Sequence, residues 1–406
     1  MKTDSVENLY NIIGMTLLCS LIIASFLSFN PSLHAFSRKI DTNAHILDVI
    51  RRASQNKTVN MDHMCPHADL VETRLRLQND VIGDFYFIAI NLYNNEAILP
   101  DFILQLLKVI NSIGRRHVFV SVYENNSDDR TKMYLNLLRV LLNKMSVQNR
   151  IVASDEKKPI GVHRISYLAG VRNTVLEPLL GLPRNISKVV FMNDITFCAS
   201  DLLELLIQSR VHAADITCGA DFFKGYDPQF YDKWVFRGFE GNMISPRLST
   251  KLANSFLNKG PDPFQVQCCW NGAAVFNARP FYEPFRITFR KRDTQVLHDS
   301  DERHRALAKR FPGTPLYTEC ASAAENTICQ DIQRAGFTRA IVVPTARFAY
   351  DWITFKAIRK AKGHEFVIKA NHSINFQPLS DVVDCLPMNA AGIQRPDGKL
   401  GKEVLH

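Results

Sequence analysis

Hydrophobic and polar positions divide this chain into three stretches of different character. From Ile12 to Phe29 (IIGMTLLCSLIIASFLSF) the residues are uncharged and mostly apolar, whereas from Ala35 to Asp80 they are polar and irregular. Beyond that point apolar runs and helix-spaced apolar positions alternate. Phe85 to Ile90 reads as a buried strand, and Ile98 to Ile110 follows with apolar residues at helical spacing. His117 to Tyr123 predicts a second strand, and Leu135, Leu138, Leu142 and Met145 then fall on one helical face. A short strand at Arg150 to Ala153, a helix at Arg164 to Leu180, the strand Lys188 to Met192 and a helix at Asp201 to Arg210 continue the series. Further strands are predicted at Ala214 to Cys218, Val266 to Phe276 and Ala340 to Val343, with a helix at Ala323 to Ala335. This alternation predicts an α/β fold built on a doubly wound sheet. Gly219 to Met243 and Phe285 to Thr318 are long irregular segments, the kind that wall binding sites.

The first stretch bears on location. Eighteen uncharged residues at a rise of about 1.5 Å nearly match a hydrocarbon core of about 30 Å, which predicts one membrane span. A cleaved signal peptide is the competing reading, because small residues follow at Ser32 to Ala35. The expected organisation is a tail and single-pass anchor at 1–35, a stem at 36–80, a catalytic domain at 81–385 and a C-terminal tail at 386–406. Loop charge does not decide topology, since Lys2 is offset by Asp4 and Glu7 while Arg38, Lys39, Arg51 and Arg52 follow the span. N-x-[ST] sequons at Asn56, Asn125, Asn185 and Asn371 suit a lumenal side, in the Golgi or the endoplasmic reticulum.

Of nine cysteines, Cys19 lies in the apolar run and eight follow it, enough for four bridges in an oxidising compartment, with the pairing unreadable. The net charge of +9 is scattered among acids rather than gathered into a stripe, and no nucleic-acid motif accompanies it, so nucleic acid is not an expected partner. The chain contains no G-x-S-x-G elbow, Walker loop or G-x-G-x-x-G fingerprint, which disfavours hydrolase, phosphate-cleaving and nicotinamide-dependent readings.

Four constellations could carry chemistry. Asn193-Asp194 ends the Lys188 to Met192 strand, where ligands sit in open α/β sheets. A carboxylate there could hold a hard divalent ion against a diphosphate, or it could merely terminate the strand. Arg172 and Asn173 lie beside the apolar stripe Ile165, Leu168, Val171, Val175 and Leu179, and a guanidinium takes phosphate bidentately; a solvated arginine is the plain alternative. Arg164 is a companion to them. Ser322 to Glu325 has the S-x-x-E form of a capping box, and the same Glu325 could instead face a sugar. Asp221, Asp232, Trp234, Arg237 and Glu240, with Trp270 and Asn271 further on, mix aromatic, carboxylate and amide groups as sugar sites do, although Trp270 also suits a core position.

Taken together, YNNEAIL (93–99), RISYLAGVRNTVLEPL (164–179), KVVFMNDITFCASDLLELL (188–206), ADITCGADF (214–222), FYDKWVFRGFEG (230–241) and CCWNGAAVFNARPF (268–281) resemble the fungal α-1,3-mannosyltransferase and capsule-associated protein family, glycosyltransferase family 69. The similarity spans roughly residues 80–385. It implies a GT-A-like domain that uses GDP-mannose and a divalent metal, manganese, and moves mannose to a glycan or mannoside acceptor with retention. By that resemblance Asp194 is the metal ligand, and Asn94, Arg172, Asn173 and Asn193 contact the donor. Asp232, Glu240, Trp270 and Asn271 then face the acceptor, while Glu325 and Asp221 are the catalytic carboxylates. Two departures stand out: Thr196 occupies the place where a second carboxylate is common, and RGFEG (237–241) differs from an acidic version in relatives. A non-catalytic glycan-binding or polysaccharide-assembly protein of the same fold is the rival reading, and a nucleotide-sugar hydrolase is a third.

Overall fold

The computed structural model describes residues 64–65, 84–182, 186–243, 262–292, 295–296, 302–310, 312, 316–319, 324–360, 374–385 and 401–404. The expected span Ile12 to Phe29, most of the stem, the sequons at Asn56, Asn185 and Asn371, and Ser322 of the capping box lie outside the described residues. Among the described residues no helix is long and apolar enough to cross a membrane.

The first half alternates as the periodicity predicts. Strand β1 (Tyr86–Leu92) is buried on both faces, as expected of a parallel strand covered by helices on each side. Helix α1 (Leu99–Ile113) begins with Pro100 in its first turn and ends at Gly114, whose φ of +106° a side chain would strain. Then come β2 (Val118–Asn125), α2 (Thr131–Lys144) and β3 (Gln148–Ser154). Helix α3 (Arg164–Leu176) stops short of the predicted Leu180, because Pro178 tightens Glu177–Gly181 into a 3₁₀ turn. Strand β4 (Lys188–Met192) has its predicted bounds. Helix α4 (Ala199–Val211) is buried on nearly all sides. Its start is closed by the Asp201 carboxylate, which accepts from Cys198 N at 2.8 Å, and by Gln105 Oε1, which accepts from Ala199 N at 2.9 Å.

The remaining strands are β5 (Ile216–Phe223), β6 (Gln229–Phe230), β7 (Phe264–Gln265), β8 (Ala273–Asn277), β9 (Gln295–Val296), β10 (Leu316–Glu319), β11 (Ala340–Ala349), β12 (Val382–Cys385) and β13 (Gly401–Val404). Helices α5 (Glu302–Arg310), α6 (Ala324–Arg334) and α7 (Trp352–Lys360) lie among them. Among the described residues the main sheet runs β3-β2-β1-β4-β8-β5-β11-β7, with β6 paired to β5. A second sheet runs β12-β13-β10-β9.

Two expectations need correction. The sheet is mixed rather than purely doubly wound, because β8 runs antiparallel between β4 and β5. The predicted strand Val266 to Phe276 is a strand only from Ala273 (β8), while β7 ends at Gln265, and Asn271 (φ +53°) and Gly272 (φ +79°) turn the chain into β8. A Cβ at Gly272 would lie 3.1 Å from Ile195 Cγ2 and 3.3 Å from Asp221 Cβ, so this close approach requires glycine.

The topology reverses at β1. The chain leaves β1 for β2 and β3 on one side, then returns to place β4 on the other. The carboxyl ends of β1 and β4 therefore flank a switch point, where open α/β sheets bind ligands.

Candidate functional site

At the switch point, Asn95 from the segment after β1 meets Asp194 from the segment after β4. Asn95 is buried, and its Nδ2 donates to Asp194 Oδ2 at 3.0 Å. Asn95 is itself fixed: Oδ1 accepts from Tyr93 N at 2.6 Å, and its own N–H donates to Thr131 Oγ1 at 2.8 Å. Burial pushes the Asp194 carboxyl above the usual aspartate value, and the groups that favour its charged form are the Asn95 amide and a backbone N–H rather than a cation.

Asn193, the residue before Asp194, is itself anchored. Its N–H donates to Gly272 O at 2.9 Å, Oδ1 accepts from Trp270 Nε1 at 3.0 Å, and Nδ2 donates to the Tyr350 hydroxyl at 3.3 Å. Tyr350, just beyond β11, donates in turn to Asp221 Oδ2 at 3.1 Å. Burial, and then the Asp221 charge, hold the Tyr350 hydroxyl well above its ordinary value, so it stays a proton donor. Asp232 N donates to Asp221 Oδ1 at 3.2 Å. The Asp232 carboxylate accepts from Asn271 N at 3.0 Å and Val235 N at 3.2 Å. Burial pushes Asp232 up to about 6; burial, and then the Asp232 charge, push Asp221 well above the ordinary range.

Several sequence expectations change here. Asp221, expected to be a catalytic carboxylate, is 0% exposed and both its oxygens accept hydrogen bonds, so the structure places it inside the hydrogen-bonded chain rather than at the surface. Asp232 and Asn271 are buried too, the latter with Nδ2 donating to Gly219 O at 2.7 Å, so neither presents a surface to an acceptor. Trp270 takes the core position, against Phe191, Phe276 and Phe289. Glu240 is exposed in the turn at 238–241, where its carboxylate accepts from Asn242 Nδ2 at 3.1 Å. Arg237 is buried, donating to the carbonyls of Asp384, Trp234 and Phe236, and ties its loop to β12.

On the donor side, Asn173 both donates to Phe289 O and accepts from Phe289 N at 2.8 Å, which occupies its amide. Asn94 is exposed and takes φ +53°; its N–H donates to Ser127 Oγ and its Oδ1 accepts from Asp128 N, both at 2.9 Å, so it shapes the turn. Its neighbour Asn95 is the residue that reaches Asp194. Thr196 pairs its backbone with Ala349 and is buried, so it does not replace a second carboxylate.

Arg172 and Glu325 come together, but with each other. They form an ion pair, with side chains 11% and 14% exposed, and the guanidinium also lies over Trp270 at 5.7 Å and Phe289 at 5.8 Å. Removing either partner leaves the other charge desolvated and alone. Arg172→Ala and Glu325→Ala are each expected to lower stability by roughly 3 kcal/mol, with the double variant losing much less than the sum, as urea unfolding midpoints would register. Additive losses would contradict a coupled pair.

Disulfides brace this region. Cys218 of β5 joins Cys269, and Cys268 joins Cys329 of α6, the helix that carries Glu325. Cys65 joins Cys198 at the start of α4, and Cys385 is disulfide-bonded as well.

The sequence signal for Asn95 is position alone, a few residues past the predicted strand Phe85 to Ile90; Tyr350 carries none, because the predicted strand Ala340 to Val343 ends well before it whereas β11 runs on to Ala349. Among the described residues no group of three or more His, Cys, Asp or Glu side chains is placed to share a metal ion. A hard cation nevertheless suits the Asp194 oxygens, which lie desolvated with an amide and no cation to offset their charge.

Residues 85–305 match the family model described as Cryptococcal mannosyltransferase 1. The chain belongs to this family. The match contains the whole β1 to β8 half of the sheet, and with it Asn95, Asn193 and Asp194. The chain is 29% identical over 289 residues to α-1,3-mannosyltransferase CMT1 of Cryptococcus neoformans var. neoformans serotype D, strain JEC21. That alignment covers 66% of this chain and 58% of the relative. Among solved structures, the chain is similar to S. aureus TarS 1-349, at 14% identity and a TM-score of 0.36, with 66% of this chain and 60% of that one covered. It is also similar to the mannosyltransferase PcManGT from Pyrobaculum calidifontis, solved with GDP-Man and Mn2+, at 13% identity and a TM-score of 0.34, covering 75% and 67%.

Proposed function

We propose that this chain transfers mannose from GDP-mannose to a hydroxyl of a glycan or mannoside, forming an α-1,3 linkage with retention, with Asp194 as protein ligand to a divalent cation, manganese. The observation that carries the reading is the meeting of Asn95 and Asp194 at the switch point of the sheet, inside the part of the chain that matches the family. The family resemblance supplies the donor and linkage.

A cation bound there would neutralise the charge that grows on a departing diphosphate. The chain's own residues do the rest. Asn95 fixes the Asp194 carboxylate; the chain Trp270, Asn193, Tyr350, Asp221 fixes the backbone next to it. Such fixed groups need no reorganisation as charge develops. Glu325, paired with Arg172, is the carboxylate on this reading that orients a reacting sugar. The disulfides agree with a lumenal setting in the Golgi or endoplasmic reticulum, behind a single-pass anchor at Ile12 to Phe29.

The test is a transfer assay: purified protein with GDP-mannose, manganese and α-mannobiose, with linkage analysis of the product. An α-1,3-linked mannose on the acceptor is the expected result. Release of free mannose without an acceptor would make the protein a hydrolase. The single carboxylate at the site favours one other reading, a glycan-binding assembly protein, for which donor binding without transfer to any acceptor would be the signature.

A further inference from the structure

Of the acceptor residues expected from sequence, Asp232, Trp270 and Asn271 lie inside the protein while Glu240 is exposed; of the rings that the loop leaves exposed, Tyr226, Tyr231, Trp234 and Phe239, Tyr231 is the one that packs on Tyr350. Tyr231 sits between buried Phe230 and Asp232 and is itself 47% exposed. Its exposure is not looseness: its N–H donates to Asp221 O at 3.0 Å, and its carbonyl accepts from Lys233 N at 2.8 Å. The ring leans on Tyr350 with centroids 4.3 Å apart, and meets Phe223 edge-on at 5.3 Å. Tyr350 is in turn held by Asp221 and Asn193, so the ring of Tyr231 is backed by the hydrogen-bond chain that fixes the segment carrying Asp194.

The position within the sheet decides which ligand this ring serves. Tyr231 follows β5 and β6 and packs on the end of β11, strands that lie across β4 from β1, β2 and β3. Asn94, expected from sequence to contact the donor, follows β1 on one side of Asp194; Tyr231 stands on the other, in the loop from which the sequence reading draws the acceptor residues Asp232 and Glu240. A pyranose presents an apolar C–H face and a rim of hydroxyls. A half-exposed aromatic ring fixed by its neighbours complements the apolar face, and its hydroxyl can meet the rim. Burial, and then the charges of Asp221, Asp194 and Asp232, raise the Tyr231 hydroxyl above its ordinary value, which keeps it a donor beside that acid cluster; Arg164, exposed at the start of α3, acts on it in the opposite sense.

We propose that Tyr231, backed by Tyr350, is the stacking platform for the acceptor pyranose and so sets which acceptors fit beside Asp194. The word acceptor rests on the transferase reading; the platform itself does not. The direct test is calorimetric titration of α-mannobiose into the full chain as wild type, Tyr231→Ala and Tyr231→Phe, with thermal unfolding as the check on folding. The expected result is binding about 10-fold weaker in Tyr231→Ala and within about 3-fold of wild type in Tyr231→Phe. Should the alanine variant fail to fold, Tyr231→Leu keeps apolar bulk without a ring and is expected to lose the same affinity. Equal affinity in wild type and the ring-deleted variant would overturn the proposal, as would failure of the wild type to bind α-mannobiose at millimolar concentration. A protein that binds α-mannobiose through Tyr231 yet transfers no mannose would retain the platform and lose the transferase reading.

Discussion

Asp194→Ala is expected to lower kcat/KM for mannosyl transfer by about 10³-fold, the scale on which charge-stabilising groups act in enzyme sites. The same substitution is expected to leave the unfolding midpoint nearly unchanged. Asp194 is a half-buried carboxylate held by an amide rather than a cation, so losing its side-chain hydrogen bond from Asn95, worth about 1 kcal/mol, is offset by relief of a partly desolvated charge. Parallel measurement of steady-state transfer and urea unfolding separates the two effects. A variant that keeps its activity removes Asp194 from its role, and one that unfolds makes Asp194 a structural residue.

The second large effect concerns the bridge between Cys268 and Cys329. It closes a loop with a sequence separation of 61 and ties α6 to the segment that leads into Trp270 and Asn271. Chain-entropy arguments put the stabilisation from a loop of that length at about 4 kcal/mol. The Cys268→Ala, Cys329→Ala double variant is therefore expected to lose about that much in denaturant unfolding. Because Glu325 opens α6, acceptor turnover is expected to fall along with stability, while Cys218 to Cys269 still holds β5 to the same segment. Unchanged unfolding would mean that the two elements are held together by packing alone.

Much of this was legible in the sequence, for a definite reason. Val189 to Met192 is an unbroken apolar run followed by two polar residues, so both β4 and the placement of Asp194 just past its tip follow from local pattern. The helices around it follow from spacing in the same way. Strand direction does not: nothing in the run Ala273 to Asn277 says that β8 pairs antiparallel with both β4 and β5. Nor does composition say which way a side chain turns. Trp270, Asn271 and Asp232 have the chemistry of a sugar site, yet two successive positive-φ residues and the disulfides fold them inward. Pairings over long separations were equally hidden, including Asn95 with Asp194, Tyr350 with Asn193, and Arg172 with Glu325. Asn94 and Asn95 are adjacent and chemically identical; only the turn held by Ser127 and Asp128 makes one a structural residue and the other a neighbour of the site.

Isothermal titration of GDP-mannose into wild type and Asp194→Asn, each with and without manganese, tests the central claim most directly. The account predicts that manganese tightens donor binding at least about 10-fold in the wild type and has no effect in Asp194→Asn. Equal tightening in both proteins would contradict it.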